Sequence, residues 1–243
     1  HKIDKGIMTL VDEERQFELL AALDSHHVKR SCGGSACNTI VAASCFGSTG
    51  FYSAKVAEDD DGRFFIEDLQ ATGVDFHTLD VSAASANARA SAASSSASVS
   101  ITGKCLVMVT DDAERTMNTF LGANLELTSN EIDEANLINS EWLYQEGYLV
   151  TDEARTNVAF QTMELAKANK VKTSLSLSDP FVVQVFGDNL RKVIGDGIDL
   201  LFCNSHEARS FTNIHSTEAA AEQLKKFAKT FVITRGAGGS LSY

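Results

Sequence analysis

From residue 142 onward, short continuous apolar runs alternate with longer stretches in which apolar residues return every three or four positions. The runs at 142–149, 172–177, 198–203 and 230–234 predict strands. The stretches near 152–169, from about Phe181, and around 217–229 predict helices. Strands that are apolar throughout, rather than at alternate positions, need both faces covered, so this order predicts an α/β fold: a mostly parallel sheet sandwiched between helices. In the first half a helix begins near Asp12, whose carboxylate can cap free amides, with Glu13 and Glu14 at the positive end of the helix dipole. A short strand at 27–32 then runs into Gly33-Gly34-Ser35 and a small-residue helix at 36–46. A second strand–turn–helix unit follows: a strand at 51–56, the acidic turn Glu58-Asp59-Asp60-Asp61-Gly62, and a helix carrying Phe64, Phe65, Ile66 and Leu69 that Gly73 stops. Residues 104–110 and 114–120, on either side of Asp111-Asp112-Ala113, predict a β-hairpin.

One stretch breaks both rhythms. From 82 to 98 every residue is Ser or Ala except Asn87 and Arg89, too little apolar bulk to fix a fold. The chain 1–243 is read as one α/β domain, and within it the segment 82–100 as a low-complexity excursion without chemistry.

Composition narrows the function. A chain of 243 residues, 44% hydrophobic and 22% charged, has the makeup of a globular protein. It has no apolar run of about 18 residues to span a bilayer and no basic start leading into an apolar core, so the expected location is cytoplasmic, with no membrane partner. The formal net charge of −12 would repel a phosphate backbone and argues against a nucleic-acid partner. An anionic small ligand would need a helix N-terminus, a basic side chain or a metal ion. Cys32, Cys37, Cys45, Cys105 and Cys203 form no C-x-x-C pair and read as reduced core thiols.

In open parallel sheets ligands collect where strands end, and three strand ends turn polar. Gly33-Gly34-Ser35-Ala36-Cys37-Asn38 combines glycines that let a ligand lie against the backbone with a following helix whose free amides suit hydroxyls or a phosphate. The alternative is a turn needed only for packing. In Leu200-Leu201-Phe202-Cys203-Asn204-Ser205-His206-Glu207, Asn204 and Glu207 are three residues apart at a helix start. That spacing puts both on one face, where the carboxylate can hold a hydrated magnesium ion and the amide a phosphate oxygen. The alternative is a capping box, with His206 a surface residue. The run 230–234 delivers the Thr234 hydroxyl and then Arg235-Gly236-Ala237-Gly238-Gly239, terrain for a nucleotide or simply a turn joining two strands. Neither a G-x-G-x-x-G fingerprint nor a P-loop occurs in the chain.

Taken in order, Gly-Gly-x-x-x-Asn, the acidic "KVAEDDDGRFFIEDLQATGVDF", the hairpin ending "ERTMNTFLGAN", Asn-x-x-Glu and Thr-x-Gly resemble the ribokinase-like, or PfkB, family of carbohydrate and nucleoside kinases. The resemblance implies a ribokinase-like sheet with a small β lid, formed here by elements at approximately 28–32 and 101–120. It implies transfer of the γ-phosphoryl group of ATP, with Mg²⁺, to a primary hydroxyl of a small-molecule sugar or nucleoside. Carried onto this chain, Gly33, Gly34 and Asn38 would contact substrate hydroxyls, and the lid would bring Met117 or Asn118 to the substrate. Asn204, Thr234 and Gly236 would lie along the nucleotide, and Glu207 would manage the metal. Lids in this family can pair, so the expected state is monomer or homodimer. "SLSLSDPF" at 174–181 and the serine after Gly33-Gly34 resemble the adenosine kinase-like branch.

Two departures qualify the resemblance. The family's N-terminal strand, whose aspartate grips the sugar, has no counterpart before His1, and the Gly-Ala-Gly-Asp motif that supplies the catalytic base is absent, its aspartate expected beyond Tyr243. Gly236-Ala237-Gly238-Gly239 has glycine where that aspartate would stand. The 243 residues are therefore expected to be truncated at both ends, to contain no catalytic base, and to be inactive as written. The competing readings are a catalytically silent PfkB-like binding or regulatory protein and, further off, a dinucleotide-dependent oxidoreductase.

Overall fold

The computed structural model describes residues 3, 5–23, 28–76 and 100–243 and divides into two compact units, His1–Glu131 and Ile132–Tyr243. The Ser/Ala excursion, apart from Ser100, lies outside the described residues.

The first unit contains β1 (Met8–Leu10), α1 (Glu13–Ala21), α2 (Ser35–Cys45), β2 (Gly50–Tyr52), α3 (Asp60–Ala71), β3 (Val74–Phe76), β4 (Thr102–Val109) and β5 (Arg115–Gly122). The hairpin β4–β5 pairs antiparallel, with Leu106 opposite Asn118, and turns at Ala113, which takes φ 62°. β1 joins it in parallel, placing Met8 opposite Met117. β2 and β3 form a separate parallel pair whose core holds Cys37, Leu69, Val74 and Phe76. Asp12 and Asp59 cap α1 and α3 by accepting from the amides of Arg15 at 2.8 Å and Gly62 at 2.7 Å, the local chemistry that starts both helices.

The second unit contains α4 (Glu134–Ile138), β6 (Trp142–Glu146), α5 (Glu153–Ala168), β7 (Lys172–Ser176), α6 (Pro180–Ile194), β8 (Ile198–Asn204), α7 (Ser205–Thr212), α8 (Thr217–Leu224), β9 (Ala228–Thr234) and β10 (Ser240–Ser242). Its sheet runs β10-β9-β8-β7-β6, with β6 to β9 parallel and β10 antiparallel at one edge. Leu175, Leu201, Phe231 and Ile233 from the strands are buried with Leu190, Ile194, Phe211 and Leu224 from the helices. Side-chain caps start the four longer helices of this unit: Asp152 before α5, Asp179 before α6 with Pro180 at its first position, Asn204 before α7 and Ser216 before α8.

Five expectations change. The described part of 27–32 contains no strand, and the sheet beside the hairpin takes its third strand from β1 instead. The strand expected over 51–56 is Gly50–Tyr52, and the helix expected over 217–229 ends at Leu224. The strand expected over 142–149 stops at Glu146, because the Gly147 amide leaves the ladder to donate to the Ser178 hydroxyl at 2.7 Å and a 3₁₀ turn follows. Of the five cysteines, all free, Cys37 and Cys203 are core thiols, while Cys32 is half-buried and Cys45 and Cys105 are exposed, because small side chains around a cysteine do not by themselves bury it.

Candidate functional site

Parallel strands bring their carboxyl ends to one edge of the sheet. In the second unit that edge receives Glu146, Ser176, Asn204 and Thr234, the last residues of β6, β7, β8 and β9. Their register aligns them: Glu146 stands opposite Ser176 and Asn204 opposite Thr234. A cavity of about 220 Å³ opens here, lined by Ser176, Ser178, Asn204, Glu207 and Thr234 against the Cys203 thiol.

Asn204 and Glu207 form a complete capping box at the start of α7. Asn204 Oδ1 accepts from the amides of His206 at 2.8 Å and Glu207 at 2.9 Å. In return Glu207 Oε2 accepts from the Asn204 amide at 2.9 Å, and Oε1 accepts from the Asn204 side-chain amide at 2.5 Å. The local arrangement that capping alone would require is therefore present, and both side chains also line the cavity. His206 is exposed.

Glu207 is only 4% exposed. Burial raises its pKa, and the nearby charges of Asp179 and Glu146 raise it further, against the lowering effect of the Asn204 amide. The same surroundings push Tyr148 and Cys203 up to about 12, each first through burial, then through Asp179, Glu146 and Glu207 for the phenol and Glu207 for the thiol. Among the described residues no lysine or arginine lines the cavity. Hard oxygen donors with surplus negative charge fit a hydrated magnesium ion. Among the described residues no group of three His, Cys, Asp or Glu side chains is arranged to hold a metal directly, so an ion here would keep much of its water.

Sequence reasoning missed the other half of this edge. Glu146 is 8% exposed; its Oε1 accepts from the Tyr144 hydroxyl at 2.5 Å and its Oε2 from the Ser178 hydroxyl at 2.6 Å. Ser178 takes φ 70°, which turns its hydroxyl back to Glu146. A strand ending at Glu146 rather than Leu149 places this carboxylate at a strand end, where ligands of parallel sheets collect.

The remaining sequence candidates lie elsewhere. Gly236 sits in the turn that joins β9 to the antiparallel β10, closed by the Arg235 amide on the Gly239 carbonyl at 2.8 Å, and it does not line the cavity. In the first unit Gly33 and Gly34 lead into α2, and a Cβ on either would find nothing within 4 Å, so the turn is open on that side. Gly34 caps the helix at φ 103°, a conformation that favours glycine, and Asn38 is exposed one turn on. Asn118 on β5 is buried at 4% exposure, and its Nδ2 has no hydrogen-bond partner among the described residues. A buried donor left unpaired costs free energy unless something arrives to accept from it.

The pfkB family carbohydrate kinase model matches residues 2–243. The chain belongs to the pfkB family of carbohydrate kinases. Its fold is the ribokinase-like α/β fold, seen in the adenosine kinase from Sinorhizobium meliloti at TM-score 0.83 and 28% identity, covering 99% of this chain and 68% of that one. A probable sugar kinase protein from Rhizobium etli CFN 42 superposes equally well, at TM-score 0.83 and 26% identity over 99% and 68% of the two chains. The apo adenosine kinase of Trypanosoma brucei brucei shares the fold at TM-score 0.77 and 22% identity, over 99% of this chain and 76% of that one. No curated protein matches the pfkB chain by sequence. No helix among its described residues is long and apolar enough to cross a membrane.

Proposed function

We propose that this pfkB protein transfers the γ-phosphoryl group of ATP to the primary hydroxyl of a nucleoside or furanose sugar, with adenosine the leading acceptor. The observation that carries the reading is the carboxyl-edge cavity: Asn204, Glu207 and Thr234, from two separate strand–turn junctions, line one polar space with an uncompensated negative charge. The Mg²⁺ ion that a triphosphate carries is the group this negative charge would attract. In this reading Asn204, Thr234 and Gly236 contact the nucleotide, and Glu207 orients water around the metal. When bound, magnesium neutralises charge on the phosphate oxygens. Gly33, Gly34 and Asn38 offer an open turn and a helix N-terminus to acceptor hydroxyls, and Asn118 offers its unpaired donor. The preference for a nucleoside rests on the Sinorhizobium adenosine kinase and on Ser35 after the two glycines.

ADP release by the full-length protein, with Mg-ATP and a panel of adenosine, inosine, ribose, fructose and fructose 6-phosphate, tests this directly. Turnover that depends on adenosine is the expected result. Turnover with fructose or ribose but no nucleoside rejects the nucleoside branch, and silence across the panel with ATP binding intact points to a catalytically silent relative.

A further inference from the structure

The acidic turn before α3 plays no part in the proposed chemistry, yet it holds two segments that carry candidate substrate residues. Asp59 uses Oδ1 for the Gly62 amide at 2.7 Å, its capping bond, and for the Thr102 hydroxyl at 2.7 Å. Its other oxygen, Oδ2, accepts from the Thr102 amide at 2.8 Å, at the first residue of β4. The Thr102 hydroxyl oxygen in turn accepts from the Ala57 amide at 3.0 Å, so both strands of chain are tied to one another through a single carboxylate and a single hydroxyl. The packing leaves no slack: a Cβ on Gly62 would lie 2.1 Å from the Ala57 carbonyl and 2.9 Å from the Thr102 hydroxyl.

A second link runs beside the first. Asp61 pairs with Lys104 on β4 at 2.5 Å and with Arg30 at 3.3 Å, and Asp68, two turns along α3, accepts from the Cys32 amide at 2.6 Å. One helix thus grips the start of the β4–β5 hairpin and the segment that leads into Gly33 and Gly34. Burial raises the Asp59 carboxyl, but the bonds from Thr102 and Gly62 and the charge of Lys104 outweigh it and hold it below the usual carboxylate range. It is therefore charged at neutral pH, and its bonds are charge-assisted.

We infer that Asp59 is a positioning residue for the acceptor: by fixing Thr102 at the root of β4, it fixes the hairpin on which Asn118 is carried. Thr102 stands opposite Gly122 in the hairpin register and Leu106 opposite Asn118, so a displaced root shifts Asn118 through the paired backbone. The kinetic consequence rests on the phosphotransfer reading; the anchoring does not.

The test separates the two roles of the carboxylate. Asp59→Asn keeps one oxygen for capping, where Asn serves as well as Asp, and removes the second acceptor. Hydrogen exchange at the amides of 102–109 is expected to quicken about tenfold, as the loss of one charge-assisted bond implies, with β7 and β8 unchanged. In the kinase assay of the full-length protein KM for the acceptor rises about tenfold, while kcat and KM for ATP stay within about twofold. Thr102→Val, which removes the hydroxyl, reproduces part of the effect, and Thr102→Ser restores wild-type behaviour. Unchanged exchange at 102–109 in Asp59→Asn overturns the inference, as does an equal rise in both KM values. Wild-type protein without any transferase activity refutes the function instead, and the exchange measurement then still decides the anchor.

Discussion

Glu207→Gln separates folding from chemistry at the carboxyl-edge cavity. Glutamine retains an oxygen that can accept the Asn204 amide, now 2.9 Å from Oε2, so the cap keeps its main bond. It gives up the charge-assisted bond from the Asn204 side-chain amide, a loss of about 1 kcal/mol. It also removes a buried charge that burial, Asp179 and Glu146 all disfavour, which acts in the opposite direction. The two effects are of similar size, so stability at neutral pH should change by no more than about 1 kcal/mol, a shift in Tm of about 2–4 °C. The pH dependence adds a second signature. Because the Glu207 pKa is raised on folding, the folded state binds this proton more tightly than the unfolded chain. Its stabilising contribution is complete below the ordinary carboxylate pKa and is lost as pH rises through the folded value. The variant lacks this loss, so its Tm should gain on wild type as pH rises from about 4 to 7. Activity should behave differently: if Glu207 orients the waters of the metal, kcat/KM for Mg-ATP falls about 10- to 100-fold. Differential scanning calorimetry across pH, with the ADP-release assay on the same samples, measures both. A variant that keeps wild-type kcat/KM would show that Glu207 is a cap and nothing more, and one that loses several kcal/mol would show that the charge supports the fold.

Gly34→Ala meets no atom within 4 Å but must hold φ 103°, which costs about 1–2 kcal/mol; it should lower Tm slightly in thermal melts while raising KM for the acceptor several-fold in steady-state assays. Leu201→Ala, in the centre of the second unit's sheet and fully buried, should lose about 2–5 kcal/mol by urea titration followed with intrinsic fluorescence. Asp199 is raised by burial, but bonds from Lys229 and Thr173 outweigh this and leave its pKa lowered, so its contribution is present above the ordinary carboxylate value and is lost as pH falls through the folded one. The Tm gap between wild type and Asp199→Asn should therefore close on acidification, and a gap that stays constant would contradict the assignment.

The parts legible in the sequence were those fixed by local chemistry. Asp12, Asp59, Asp152 and Asn204 announce helix starts because a cap needs only the next three residues, and each was found capping where a helix begins. β8 and β9 were legible because their centres, Leu200–Cys203 and Phe231–Ile233, are unbroken apolar runs, as strands covered on both faces require. What failed depends on distant partners. β1 is three residues long and has no pattern of its own; it exists because Met8–Leu10 finds β5 more than a hundred residues later. Glu146 was hidden because Gly147 leaves the ladder for a hydroxyl at Ser178, a contact 31 residues away. The Asn-x-x-Glu pair was found, but its geometry serves capping as fully as it would serve a ligand, so spacing alone could not separate the two uses. The cavity that joins this pair to Thr234 becomes visible only once β8 and β9 are paired, with Asn204 opposite Thr234.

The most direct test of the account is ³¹P NMR of the full-length protein incubated with ATP, Mg²⁺ and adenosine. The expected spectrum shows a new phosphomonoester on the 5′-hydroxyl growing in step with ADP and failing to form when EDTA is present from the start. ADP that accumulates without the ester, or a spectrum unchanged while ATP is bound, would contradict phosphotransfer as the function of this fold.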